Sequence, residues 1–147
     1  MARMDLGTAA PEPYKAFRQA DGAIRTGPLD AGLRELVKIR ASQLNGCVYC
    51  VDMHTREARS LGERQDRLDQ LPVWEESELF DAKERAALAY TDAVTRGPQV
   101  PQPLWDELCA RVPDEAERGH LVVQVALINA LNRLGVPLEM KPARTAD

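Results

Sequence analysis

The chain has 147 residues and an ordinary apolar fraction of 44%, enough for one compact domain, expected over 1–147, with a real core. A formal charge of −4 leaves no basic surface for nucleic acid, and no apolar run reaches the roughly 20 residues of a membrane span. The N-terminus lacks an apolar signal core, so a cytoplasmic location is expected, and there a close cysteine pair is more often catalytic, redox-active or metal-binding than a structural staple.

In chain order, residues 1–10 read as a loose arm or a strap across a neighbour. The spacing predicts a first helix over 11–26, with Tyr14, Phe17 and Ile24 as its larger apolar residues and Gly27 and Pro28 as its stop. Asp30 is the expected N-cap of a second helix ending near 44. In that helix Leu33, Leu36, Val37, Ala41 and Leu44 form one buried stripe, and Glu35 lies off its middle. Asn45 and Gly46 signal a turn. A third helix then runs from Cys47 to 61, with Cys47, Cys50, His54, Ala58 and Leu61 on one face and Gly62 as its close. The link is short, so the second and third helices are expected to be antiparallel neighbours, which brings Glu35 towards His54.

Further on, residues 64–71 predict a short helix, with Trp74 and Phe80 in the connection after it. Asp81 with Glu84 resembles a capping box, and the helix it starts ends at Gly97 and Pro98. Pro103 suits the first turn of a helix that Pro113 ends. Asp114 with Glu117 marks the start of a last helix over 115–134, apolar on most sides, which suits the centre of the fold or a subunit contact. Residues 139–147 look frayed. No segment alternates as a strand, so the class is all-α with six or seven helices.

Two of the three cysteines and one of the two histidines fall within residues 47–54. A thiol attacks as its thiolate, and the first turn of a helix favours that anion. His54, one turn after Cys50, can accept its proton, and Glu35 would orient the imidazole. The expected chemistry is attack on the O–O bond of a peroxide. Cys50 becomes a sulfenic acid, Cys47 condenses with it to a disulfide, and a dithiol restores the pair. Attack is assigned to Cys50 because it is nearer the base, and resolution to Cys47, which is expected to be easier for a bulky reductant to reach. The reverse order stays open, since Cys47 gains more from the helix end.

Two other readings compete. Cysteines on a helix are often small core residues. Zinc is the sharper rival, with Cys47, Cys50 and His54 as ligands and Cys109 or His120 as a fourth, but these would come largely from one helix without a second knuckle. His120 by itself reads as a packing residue and Cys109 as core.

The pattern Glu35-x11-Cys47-x2-Cys50-x3-His54 resembles the signature of the alkylhydroperoxidase D-like (AhpD-like) branch of the carboxymuconolactone decarboxylase family. The strings around Leu33 to Val37, Arg40 to Gly46 and Asp52 to His54 are similar to that branch, as is the tail with Ile128, Asn129, Ala130, Asn132, Arg133 and Leu134. The likeness runs from about residue 14 to residue 136. It implies an all-α fold with the CxxC at the start of the second helix of a hairpin. It also implies a homo-trimer or homo-hexamer and an antioxidant thiol peroxidase that uses neither haem, flavin nor metal. Peroxide would be the substrate, and electrons would come through a dithiol or a lipoyl-bearing adaptor protein. Under the resemblance Cys50 matches the peroxidatic thiol, Cys47 the resolving thiol, and His54 and Glu35 the proton relay. Two positions depart from it. Tyr49 stands where the characterised enzymes have a second histidine, and Leu131 stands where many relatives carry Trp. The alternatives are a redox-sensing or interaction module with little turnover, and a decarboxylase-type reaction on a small cyclic acid.

Overall fold

The structure is a computed structural model, and it describes residues 2–97 and 99–143. The described residues form eight α-helices, one short 3₁₀ segment and no strand. They are α1 (Leu6–Ala9), α2 (Pro11–Arg25), α3 (Ala31–Asn45), α4 (Val48–Ser60), α5 (Gln65–Gln70), α6 (Ala82–Arg96), α7 (Gln102–Arg111) and α8 (Glu115–Gly135), with the 3₁₀ turn Leu71–Glu76 between α5 and α6. The six or seven helices expected are exceeded by one short turn, since all seven segments placed above are helical among the described residues. The eighth is the single turn α1, capped by Asp5, whose carboxylate accepts from the Gly7 amide at 2.9 Å. The arm before it straps the chain's own far end, since the Arg3 amide donates to the Leu138 carbonyl at 2.8 Å. The tail folds back as well: the Met140 amide reaches the Gly135 carbonyl at 3.0 Å, so the fraying expected from 139 does not begin there. Residues 144–147, and Pro98 as a helix stop, lie outside the described residues.

The caps explain why the helices start where they do. Asp30 accepts from the Leu33 amide at 2.9 Å, and Asp81 with Glu84 forms the reciprocal capping box. Asp114 caps α8 through the Glu117 amide, but the Glu117 carboxylate turns away to Lys83 at 2.5 Å, so only half of that box exists.

Helix α3 is the centre. It packs against α4, α6 and α8, and every residue from Leu33 to Ser42 is buried. That corrects the expectation of one buried stripe. The other faces carry Arg34, Glu35, Lys38 and Arg40, which are charged and buried together. Such groups are tolerated inside a protein only when paired, and the pairs are supplied by neighbours far along the chain. Arg40 holds both oxygens of Asp92, at 2.6 and 2.8 Å, and the indole N–H of Trp74 reaches the same carboxylate at 3.2 Å. This knot ties α3 to α6 and to the 3₁₀ turn. The apolar core lies on both sides of α3. One part gathers Ile24, Val37, Ala87, Leu108 and Val125, and the other gathers Leu36, Leu71, Trp74, Phe80 and Leu88. Gly46 closes α3 in the left-handed region at φ 69°, where a side chain would be strained, and this turn sends α4 back along α3.

Candidate active site

Cys47 is the N-cap of α4, and Cys50 is its third helical residue. Both are free and buried, at 2% and 4% exposure, in a small cluster with Ala41 and Ile128. Their sulfurs share a hydrogen bond at 2.7 Å. A disulfide needs about 2.05 Å, so closing one requires only a small local shift. Gly135 of α8 makes room for the pair, because a Cβ there would stand 2.9 Å from the Cys47 sulfur and 3.9 Å from that of Cys50.

The two thiols differ. Cys47 is held down at about 6. The hydrogen bond with Cys50 is the main cause, working against burial, and the backbone amides of Cys50 and Tyr49 and the side chain of Asn132 assist. Cys50 is pushed up, first by its bond to Cys47, then by burial and by the Cys47 charge. The pair therefore holds one proton at neutral pH, with the resting negative charge on Cys47. The lowering falls on Cys47 more than on Cys50, which follows from Cys47 being the cap that faces the free amides of the first turn. A pH titration of thiolate absorbance in the reduced protein is expected to show one thiolate already formed on raising the pH through about 6. Asn132→Leu should move that midpoint upward. A single midpoint at the ordinary thiol value of 9.0 would overturn the arrangement.

Glu35 and His54 meet as the spacing predicts. His54 Nδ1 lies 3.0 Å from Glu35 Oε2, across the α3–α4 hairpin. Burial pushes the Glu35 carboxyl up, but the hydrogen bond from His54 and the Lys38 charge outweigh it and hold the group at about 2. An ionised carboxylate only accepts. His54 Nδ1 must therefore carry the hydrogen, and in the neutral ring Nε2 keeps its lone pair. His54 Nε2 is buried and has no hydrogen-bond partner among the described residues. That nitrogen is a free proton acceptor.

A ring of charges encloses this dyad. Glu35 Oε1 accepts from Arg34 at 3.1 Å and Lys38 at 3.2 Å, and Lys38 also reaches Asp21 at 3.0 Å. Arg25 bonds Asp21 at 2.7 Å and grips both oxygens of Glu57, whose carboxylate lies 4.0 Å from His54 Nδ1. The Arg25 hydrogen bond holds the Glu57 carboxyl below its ordinary range. The carboxylates of Asp21, Glu35 and Glu57 are thus matched by Arg25, Arg34 and Lys38. The carboxylates of Glu35 and Glu57 both lie beside the His54 ring.

Cys50 and His54 open onto one cavity of about 570 Å³, whereas Cys47 is not among its lining residues. Its first wall is a single stripe of α2, made by Tyr14, Phe17, Arg18, Asp21, Gly22 and Arg25. Tyr49 and Met53 of α4 flank the reactive residues, and Leu131, Leu134 and Gly135 of α8 with Met140 complete the lining. The expectation that Cys47 is the sulfur easier to reach is reversed, because the cap residue is turned into the core and Cys50 faces the cavity. The two departures from the family pattern, Tyr49 and Leu131, both face this space.

Among the described residues the metal-type donors that converge are Glu35, His54 and Glu57, within 4.8 Å of one another, and neither cysteine is among them. Their carboxylates already face Arg34, Lys38 and Arg25, so a cation would have to displace ion pairs that are in place. The two residues considered as a fourth zinc ligand lie elsewhere. His120 bonds the Ala116 carbonyl at 2.8 Å and packs on Gly27, and Cys109 sits on α7, half-buried rather than in the core as expected. Sequence reasoning missed Ser42, Asn132 and Gly135 as parts of the sulfur site. Asn132 donates to Ser42 at 3.0 Å and accepts from Asn45 at 2.9 Å, and so ties α8 to the end of α3 beneath the sulfurs. The signal available was a pair of asparagines with a glycine inside an otherwise apolar helix. The charged stripe of α2 was missed too, since ion pairs across the fold leave no local pattern.

Among the described residues no helix is long and apolar enough to cross a membrane. Residues 11–93 match the carboxymuconolactone decarboxylase family. The uncharacterized protein YdfG of Bacillus subtilis is 36% identical over 144 residues, which is 96% of this chain and 97% of YdfG. A crystal structure of a protein of unknown function from Agrobacterium tumefaciens, a candidate AhpD antioxidant-defence protein, superposes with a TM-score of 0.92 at 31% identity, covering 98% of this chain and 100% of that one. The alkylhydroperoxidase AhpD core of an uncharacterized peroxidase-related protein from Ralstonia eutropha shares the fold at a TM-score of 0.82 and 22% identity, over 93% of this chain and 74% of that one.

Proposed function

The chain belongs to the AhpD-like branch of the carboxymuconolactone decarboxylase family, and from that premise we propose that it is a thiol-dependent peroxidase. The observation that carries this reading is the unpartnered Nε2 of His54 in the same cavity as Cys50, with a second sulfur 2.7 Å behind. A base, an attacking thiol and a resolving thiol are what a two-cysteine peroxidase requires.

In the proposed cycle the proton on Cys50 passes to His54 Nε2, and Glu35 and Glu57 stabilise the charged ring. The Cys50 thiolate attacks the terminal oxygen of ROOH. The O–O bond breaks, Cys50 becomes a sulfenic acid, and RO⁻ takes the proton from His54 to leave as ROH. Cys47, already a thiolate, attacks the Cys50 sulfur. An S–S bond forms and hydroxide departs, leaving as water with a proton from solvent. An external dithiol then reduces the disulfide by exchange and becomes a disulfide itself. Because Cys50 is the sulfur on the cavity, exchange would begin there, with a reductant slim enough to enter it. Such a reductant is either a small dithiol or one carried on an arm of an adaptor protein.

The test is steady-state consumption of an organic hydroperoxide and of hydrogen peroxide with alternative dithiol reductants. Turnover is expected, and His54→Gln should lower kcat/KM about a hundredfold. Glu35→Gln should lower it by about tenfold, since it removes an orienting group rather than the base. Absence of turnover with every reductant, or full activity in His54→Gln, would overturn the proposal.

A further inference from the structure

We propose that the cavity takes ligands with an apolar body and an acid group, and that Arg18 is the anchor for the acid. As a statement about hydroperoxides this rests on the peroxidase reading; as a statement about binding it rests on the cavity. Two arginines line the cavity, and they are not equivalent. Arg25 is fully engaged by Asp21 and Glu57. Asp21 is matched by Arg25 and Lys38. Arg18 makes no ion pair or side-chain hydrogen bond among the described residues, yet it stands in the same stripe of α2, between the aromatic rings of Tyr14 and Phe17 on one side and Asp21 on the other. The lining therefore carries one unmatched positive charge, from Arg18 and Arg25 against Asp21.

Beside Tyr14, Tyr49 and the reactive pair, the lining carries the apolar side chains of Phe17, Met53, Leu131, Leu134 and Met140. A space of about 570 Å³ suits a ligand larger than hydrogen peroxide. Arg18 precedes Arg25 by two helical turns, about 10 Å along the axis. Arg18 is exposed, so it stands at the rim of the cavity, two turns along α2 from the arginine that is paired beside His54. A guanidinium is a planar fork that bonds a carboxylate through two parallel N–H groups. A largely apolar space with one such fork at its rim selects an amphipathic acid over a neutral molecule of the same size.

The experiment compares a fatty-acid hydroperoxide with its methyl ester. In the native protein KM for the acid should be about five to ten times lower than for the ester. In Arg18→Gln that ratio should fall to near one, and in Arg18→Lys most of it should survive. Equal KM values in the native protein, or an unchanged ratio in Arg18→Gln, overturn the proposal. Calorimetry with decanoate and the reduced protein reads the anchor without turnover, and Arg18→Gln should weaken binding by about the same factor. Decanoate binding that depends on Arg18, in a protein that consumes no peroxide, sinks the peroxidase reading and leaves the anchor standing. Peroxide turnover with no preference for the acid, and equal decanoate binding by both proteins, does the reverse.

Discussion

Replacing Cys50 with serine is expected to end peroxide consumption, lowering turnover by a thousandfold or more on the order seen when a nucleophile is removed. Cys50 is the sulfur that lines the cavity with His54. Cys47→Ser should behave differently. It leaves the first step intact, so one equivalent of peroxide should disappear per chain, and a sulfenic acid should persist that a dimedone-type reagent can trap. The resting charge on Cys47 sharpens the contrast. If charge alone chose the nucleophile, Cys47 would attack, and the two variants would exchange behaviours. The proposed assignment depends on access and on the nearby base, with the Cys50 proton passing to His54 when peroxide arrives. A burst of one equivalent in Cys50→Ser, with none in Cys47→Ser, would reverse the roles.

Asp92→Ala is expected to destabilise the fold by about 3–5 kcal/mol, because it leaves a buried guanidinium without its partner. Arg40 is 6% exposed, and apart from Asp92 it has the Pro72 carbonyl at 3.1 Å. The indole of Trp74 loses its acceptor in the same change. That loss is a large part of the roughly 5–15 kcal/mol that holds a domain together. Denaturant unfolding should show a lower midpoint with little change in slope. Asp92→Asn keeps the shape and one acceptor and should cost less. An unchanged midpoint for the alanine variant would show that the knot between α3, α6 and the 3₁₀ turn contributes nothing.

The helices were legible because their signals are local. Asp30 and Asp81 act through residues three positions on, and Gly46 acts on its own backbone. The Glu35–His54 contact was legible for a related reason: both residues flank one short turn, so helical spacing fixes their approach. The buried charges of α3 were not legible. Arg40 finds Asp92 fifty-two positions later, and Arg34 to Ser42 read as amphipathic only if polar side chains are assumed to face water. The placement of the sulfurs failed for another reason. Proximity to a helix end suggests exposure, but the start of α4 points into α8, where Gly135 gives it space.

The way α2 is held bears on how the site responds to salt. Of the three helices that wall the cavity, α8 buries eight of its residues and α4 three, whereas α2 buries Ile24 alone. Much of what fastens α2 is ionic, through Asp21 to Lys38 and Arg25 to Glu57. Attraction between partly exposed charges weakens as ions accumulate around them, while apolar burial does not. The hairpin carrying the sulfurs is thus held mainly by burial, and α2 by a mixture of Ile24, Phe17 and Ala20 packing and ion pairs. The wall of the cavity that faces the reacting atoms is therefore the one whose attachment responds to ionic strength, while the helices that hold those atoms are fixed by apolar burial.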